Sequence, residues 1–353
     1  MSRFLQLHML TFFPPANLNR DDTGKPKSAV VGGSPRLRIS SQALKRAWRE
    51  SDVFANALDG HLGQRTQRLG DVLLTHLREK GMNEANALRT ARDIAGVFGK
   101  IKDEKDKDPT QIEQLAFISP EERTAALALA DRVLAGEKFD PKTANLLQRA
   151  DTAADIALFG RMLASAPEFN REAAAQVAHA ITTHRVTVED DYYTAIDDLK
   201  TKEEDAGAGF LGEAGFGSGV FYLYMCINRT QLINNLGGDA VLAAVALGAV
   251  TEAAATVAPR GKQNSFAALG RAHFVLAEGG DQQPRTLAGA FARAVTENDL
   301  PRNDLMGASI ENLKKFRAGM TTAYGPGCDA DVAMHVGESG SLAEIAAFAR
   351  GES

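Results

Sequence analysis

Two cysteines in 353 residues, Cys226 and Cys328, are too few for a disulfide framework. The N-terminus also lacks the basic, apolar and small-residue succession of a secretory signal, so the expected compartment is the reducing cytoplasm. Long apolar runs are missing too. The longest uncharged one, residues 240–251, is too short to span a bilayer, and no membrane span is expected. Nor is there a general excess of positive charge: 40 Lys and Arg face 45 Asp and Glu, for a net charge of −5. That argues against indiscriminate coating of nucleic acid, which usually takes a chain that is basic throughout. What the chain does have is length, enough to bury roughly three quarters of the surface its unfolded form exposes, in one large domain or two unequal ones.

Against this acidic background, residues 17–50 gather Arg20, Lys25, Lys27, Arg36, Arg38, Lys45, Arg46 and Arg49 against only Asp21, Asp22 and Glu50. Charge localised in this way suits capture of a polyanion at one site, and nucleic acid is the first candidate ligand. Ser40 or Ser41 is positioned to cap a helix. At about 100° per residue, that helix sets Gln42, Lys45, Arg46 and Arg49 on one face and Leu44, Ala47 and Trp48 on the other. A Gly32-Gly33 turn, a polar helix start and cations below it form a conjunction that attracts phosphate.

Around this segment the pattern alternates strands and helices. Residues 3–13 alternate Leu5, Leu7 and Met9 with Gln6 and His8, which predicts a strand buried on one face and ended by Pro14 and Pro15. The stretch from there to Pro35 reads as a long loop, of the kind that is either functional or disordered. Residues 58–161 have the composition of an inserted helical subdomain, in which the mixed-sign run 102–108 is a solvated linker. A helix over 173–184 and a strand over 185–188 follow. Next comes an acidic excursion holding Glu189, Asp190, Asp191, Asp197, Asp198, Glu203, Glu204 and Asp205, closed by a Gly-rich stretch before a strand over 220–228. A helix over 240–257 and a strand over 272–277 complete the stronger signals, and the order of elements is that of an α+β protein.

Several motifs are weighed against plainer readings. Gly215, Gly217 and Gly219 enter a strand with no Lys-Ser/Thr pair behind them, so they read as a hinge or hairpin rather than a phosphate loop. His179 and His184 lie five apart and miss the four-residue spacing of a zinc-binding helix face; packed or capping roles suit them better. Cys226, in an apolar strand, reads as a buried structural thiol. Asp21 and Asp22 could hold a divalent metal and activate water, but pairing with Arg20 and Lys25 is the favoured reading.

The motifs LNRDD, VVGG, RLRISSQALKRA, DIALFGRM, AHAITTH, AIDDL and GSGVFY together resemble the CasC family, the backbone subunit of the type I-E CRISPR Cascade surveillance complex. The match runs in order from the first strand to about Asn228, and more loosely to residues 261–269. The resemblance implies a right-hand shape divided into an RRM-like, ferredoxin-like palm (1–57), helical fingers (58–165), a palm helix (166–185), a long thumb hairpin (186–219), and the rest of the palm with a C-terminal tail (220–353).

The same resemblance implies function. Arg20, Lys27, Ser40, Gln42, Lys45 and Arg49 would hold the crRNA backbone, with Arg46 adjacent, Arg161 a further candidate and Met162 wedged beside a base. Tyr193, Thr194, Phe210 and Leu211 would lie over the guide and the paired target DNA strand; Tyr193 stands where the family has Phe, and Phe210 where it has a smaller polar residue. Copies of the chain would stack head to tail along the spacer as a helical filament, with large, small, end-capping and repeat-processing Cascade subunits as partners in antiviral defence. No catalysis and no cofactor are expected. The competing expectation is a type III-like, metal-dependent ribonuclease backbone subunit that uses Asp21 or Asp22.

Overall fold

The computed structural model describes residues 2–141, 144–195, 210–296 and 304–352. The chain begins with β1 (Phe4–Ala16), β2 (Ser28–Val31), β3 (Ser34–Ile39), α1 (Ser41–Arg49), α2 (Asp52–Ala57) and β4 (Gln64–Thr66). It continues through α3 (Leu69–Glu79), α4 (Glu84–Ala95), β5 (Ala116–Ile118), α5 (Pro120–Leu134), α6 (Ala154–Phe159), β6 (Ala175–Val177) and β7 (Ala180–Thr182). Next come β8 (Glu189–Ala195), β9 (Phe210–Asn228), α7 (Arg229–Asn235), α8 (Ala240–Thr256) and α9 (Gln263–Phe266). The last elements are β10 (Ala272–Gly280), α10 (Leu305–Tyr324), β11 (Ala330–His335) and α11 (Leu342–Arg350). The class is mixed α+β, built on an antiparallel sheet.

Two compact units divide the chain. The first takes residues 1–54, 177–226 and 248–353, and the second takes 55–176 and 227–247.

In the first unit the strands run β11-β10-β1-β9-β7-β3-β2. The pairs β1–β10, β10–β11, β2–β3, β3–β7 and β7–β9 are antiparallel, and β8 pairs antiparallel with the first half of β9. β1 is buried on both faces rather than one. Leu5, Leu7 and Met9 fill one side, while Gln6, His8 and Leu10 are equally buried on the other. Leu10 joins Tyr222, Phe274, Leu276, Phe291, Ile310 and Leu313 in a core beneath α10. Period-2 alternation in a doubly covered strand separates two faces, and it does not mark one of them as solvated. Pro14 and Pro15 do not stop β1, because their fixed φ suits an extended chain and the β10 register ends earlier, at Thr11.

The stretch expected to be loop contains a hairpin. Val31 pairs with Ser34 across Gly32 (φ 57°) and Gly33 (φ 73°), both left-handed, as a two-residue turn of type I′ requires. A Cβ on Gly32 would sit 1.6 Å from the Ala292 carbonyl oxygen, so glycine is needed there on two counts.

The helix expected over 173–184 is not formed. β6 and β7 occupy it, with Arg38 opposite Ile181 on one side and Ile181 opposite Tyr222 on the other. Alanine-rich composition suggested a helix, but β-branched Ile181 and Thr182 between two strands that lack a partner settle the local choice. Residues 185–188 are not a strand; the next one starts at Glu189. Gly215, Gly217 and Gly219 lie within β9, the second strand of the β8–β9 hairpin, where Gly215 faces Asp190 and added Cβ atoms would meet Pro26, Leu37 and His184; they form no hinge.

The second unit packs α3, α4 and α5 around Leu73, Leu77, Ala91, Ile94 and Ala130, with β4 and β5 as a small antiparallel pair. α5 opens on a full capping box: Ser119 accepts from the Glu122 amide, Glu122 accepts from the Ser119 amide, and Pro120 starts the first turn. Within the tail, α10 escaped the sequence reading because its buried stripe of Ala308, Ser309, Ile310 and Leu313 covers only its first half.

Candidate nucleic-acid interface

The cationic segment folds into the β2–β3 hairpin and α1 of the first unit. Ser40 caps α1, its hydroxyl accepting from the Ala43 amide at 3.3 Å, and Leu44, Ala47 and Trp48 are buried as the periodicity requires. Gln42 and Arg46 are exposed, while Lys45 and Arg49 are half-buried along the same side. Burial pushes the Lys45 ammonium below its usual pKa, which raises the gain from an arriving anion. Arg46 pairs with Glu50 one turn on, at 2.9 Å.

Asn19 ties the parts together. Its side-chain oxygen accepts from the Ser40 amide at 2.9 Å, and its carbonyl accepts from the Lys27 amide at 2.8 Å. The Lys27 carbonyl in turn accepts from the Arg38 amide, and Arg20 bridges Pro26. The exposed Arg20 and the half-buried Lys27 and Arg38 thus stand beside the start of α1 on a braced backbone. Asn17 braces the same loop from below, donating to the carbonyls of Gly24 and Gly215. Sequence reasoning gave neither asparagine a role; their flanking of Leu18 inside a turn-forming motif was the signal available.

Three cations are engaged within the chain. Arg36 is fully buried, donating to the carbonyls of Thr182 and Phe291, and serves to hold β3 in place. Lys25 binds Asp190 and Glu213 on the β8–β9 ladder, and its hydrogen bond to Asp190 raises its pKa. Arg161, expected on the RNA, is an internal strut of the second unit. Its guanidinium is sealed from solvent, pairs with Glu122 at 2.6 Å and donates to the carbonyls of Phe117, Gln148 and Phe169. A phosphate cannot reach it without opening that core.

Met162, next in sequence, is 79% exposed. It lines a cavity of about 270 Å³ with Phe98, Ile112 and Leu115. On the hairpin, Tyr193 lies opposite Gly212, where a Cβ would collide with the tyrosine ring, and Thr194 is exposed opposite Leu211. The side chains of Phe210 and Leu211, and the carboxylates of Asp197, Asp198, Glu203, Glu204 and Asp205, lie outside the described residues.

Asp21 pairs with neither Arg20 nor Lys25 through its side chain as expected. Its Oδ1 accepts from the Thr23 amide, the Thr23 hydroxyl and the Lys25 amide, and the bond from the Thr23 hydroxyl leads in holding its carboxyl below the usual range. Among the described residues, no group of three or more His, Cys, Asp or Glu side chains is arranged to hold a metal ion. Cys226 is buried, which pushes its thiol up to about 11 and keeps it un-ionised near neutrality. His184 is a structural histidine: Nε2 accepts from the Val220 amide and Nδ1 meets the Arg185 carbonyl. Among the described residues, no helix is long and apolar enough to cross a membrane.

The fold is that of a subunit of a CRISPR RNA-guided surveillance complex. One solved chain, from a "CRISPR RNA-guided surveillance complex, pre-nicking", superposes with a TM-score of 0.84 at 30% identity, over 99% of this chain and 100% of that one. A second, from a "CRISPR RNA-guided surveillance complex", gives a TM-score of 0.73 at 24% identity over the same shares. The chain belongs to the CT1975-like protein family of Cas backbone proteins, whose family model matches residues 5–350. No match is found among curated proteins.

Proposed function

We propose that this chain is a non-catalytic backbone subunit of a type I-E Cascade complex, repeating head to tail along the crRNA spacer and holding the guide while it pairs with a target DNA strand. The observation that carries this reading is the cationic cluster around Asn19, with Arg20, Lys27, Arg38, Lys45 and Arg49 beside a capped helix start, in a chain whose net charge is −5. Such a cluster grips phosphates and reads no base edges, which suits a protein that must accept any spacer. In this reading the sheet unit is the palm, the helical unit the fingers and the β8–β9 hairpin the base of the thumb, and other Cascade subunits close the ends of the filament.

Co-expression with a CRISPR array, followed by purification and extraction of bound nucleic acid, tests the reading. Spacer-containing RNA is expected, and a chain that purifies free of RNA would overturn it. Lys45→Ala and Arg49→Ala should each weaken binding uniformly across RNA sequences and lower the salt slope by about 0.7 to 1 for each phosphate no longer neutralised. Weakening confined to particular sequences would contradict backbone gripping.

The absence of chemistry has its own test. Incubated with complementary RNA and magnesium, the assembled complex should leave the strand whole, since Asp21 is already engaged by three donors of its own turn. Regularly spaced cuts that vanish on Asp21→Ala or Asp22→Ala would replace this reading with the ribonuclease one.

A further inference from the structure

His179 stands exposed beside the cationic face, in the connection between β6 and β7. Its Nδ1 lies 2.8 Å from an Arg38 guanidinium nitrogen. A guanidinium only donates, so Nδ1 is the acceptor, the ring is neutral, and its one proton sits on Nε2. Among the described residues, the charged groups acting on the ring are Arg38 from β3 and Lys27 from the segment before β2, both cations. Burial and these two charges hold its pKa below 6.5.

We infer that Arg38, Lys27 and His179 form a proton-coupled phosphodiester site, in which a guide phosphate is bound together with one proton taken from solvent by His179 Nδ1. The inference rests on the RNA-binding reading above and deepens it. A protonated Nδ1 would face the Arg38 donor with a donor of its own, so protonation and the Arg38–His179 hydrogen bond exclude each other. A phosphate settling between them accepts from both, releasing the Arg38 fork toward its oxygens and removing the repulsion that keeps the ring neutral. No bond is made or broken except to the proton. Arg38 and His179 are brought together across the β3–β7 pair, where Arg38 lies opposite Ile181. The spacing of AHAITTH therefore gave no hint of the pairing.

The sign follows from linkage. A ring whose pKa is depressed in the free protein and restored in the complex binds more protons when RNA is present, so affinity is gained at low pH and lost as pH rises through the bound-state value. Each unit separating the two values contributes roughly tenfold in affinity per copy. The test uses the full chain and a short homopolymeric RNA at fixed salt, with affinity measured by fluorescence anisotropy from pH 8 to pH 5.5. Calorimetry in buffers of different ionisation enthalpy counts the protons taken up. The wild type should tighten roughly tenfold more than His179→Gln over this range and should take up protons that the variant does not. The variant's amide can still accept from Arg38, and the position is exposed, so folding should be unaffected. Equal pH profiles and equal proton counts in the two proteins would overturn the inference while leaving RNA binding intact. If the wild type binds no RNA at any pH, both the inference and the reading beneath it fall.

Discussion

Glu278→Ala should cost the first unit about 2–4 kcal/mol, because it removes a fully buried carboxylate shared by two arginines, although both are partly exposed and Arg317 keeps Asp331 at 2.8 Å. The carboxylate is completely buried, and Arg285 (2.6 Å) and Arg317 (2.7 Å) both bind it. On the other side, the Leu287 amide donates to the Tyr222 hydroxyl, which lies 2.9 Å from His8 Nδ1, and His8 Nε2 lies 3.3 Å from Glu278. One arrangement of protons satisfies every link: the tyrosine donates to Nδ1 and the neutral imidazole donates from Nε2 to the carboxylate. The chain of bonds joins β1, β9, β10 and α10, so losing its centre loosens the sheet and its covering helix together. Urea denaturation followed by fluorescence and by circular dichroism measures it, and a midpoint within error of wild type would refute the account.

The same network makes stability depend on pH in a fixed direction. Burial opposes ionisation of Glu278, but hydrogen bonds from His8 and Arg285 and a third from Arg317 prevail and hold its carboxyl far below the usual glutamate value of 4.5. A depressed folded-state carboxyl contributes stability that is complete above the unfolded value and is lost as pH falls toward the folded one. His8 acts earlier on the way down. Burial keeps its folded pKa under 6.5, so below that value the unfolded chain takes up a proton that the folded ring refuses. Stability should therefore be level near neutrality, decline as pH falls below 6.5 and decline further below 4.5.

What was legible in the sequence was whatever depends on neighbours along the chain. A serine cap at 40 or 41, the buried stripe of Leu44, Ala47 and Trp48, the Gly32-Gly33 turn and the long helix after Asp239 all follow from local periodicity and backbone preference. What stayed hidden is set by partners distant in sequence. His8 and Glu278 are 270 positions apart, Arg36 is captured by carbonyls 146 and 255 positions away, and 173–184 becomes strand only because β3 and β9 stand on either side. A cation on a polar-looking face carries no mark of whether its partner is a phosphate or a buried carboxylate. Arg20 and Arg161 look alike in sequence, and only the fold separates an exposed guanidinium from a sealed one.

That difference makes Arg161 a decisive position. Arg161→Ala should destabilise the second unit by about 3–5 kcal/mol, the cost of removing one partner from a buried ion pair, with RNA binding weakened only as far as folding is. Glu122 is committed three ways: to the Arg161 guanidinium, to the Ser119 amide as part of the capping box, and to the Gln148 amide. Without the arginine its charge stays buried with too few donors, and the carbonyls of Phe117, Gln148 and Phe169 lose theirs. Neutralising both partners should rescue much of this. Arg161→Met combined with Glu122→Gln removes both charges, fills the volume with an apolar chain and keeps one side-chain oxygen at the third position of α5 to close the cap, at the loss of the acceptor for the Gln148 amide. The double variant should be more stable than Arg161→Ala and bind RNA as the wild type does at temperatures where both are folded. A double variant that folds normally yet binds RNA several-fold more weakly would instead return Arg161 to the guide.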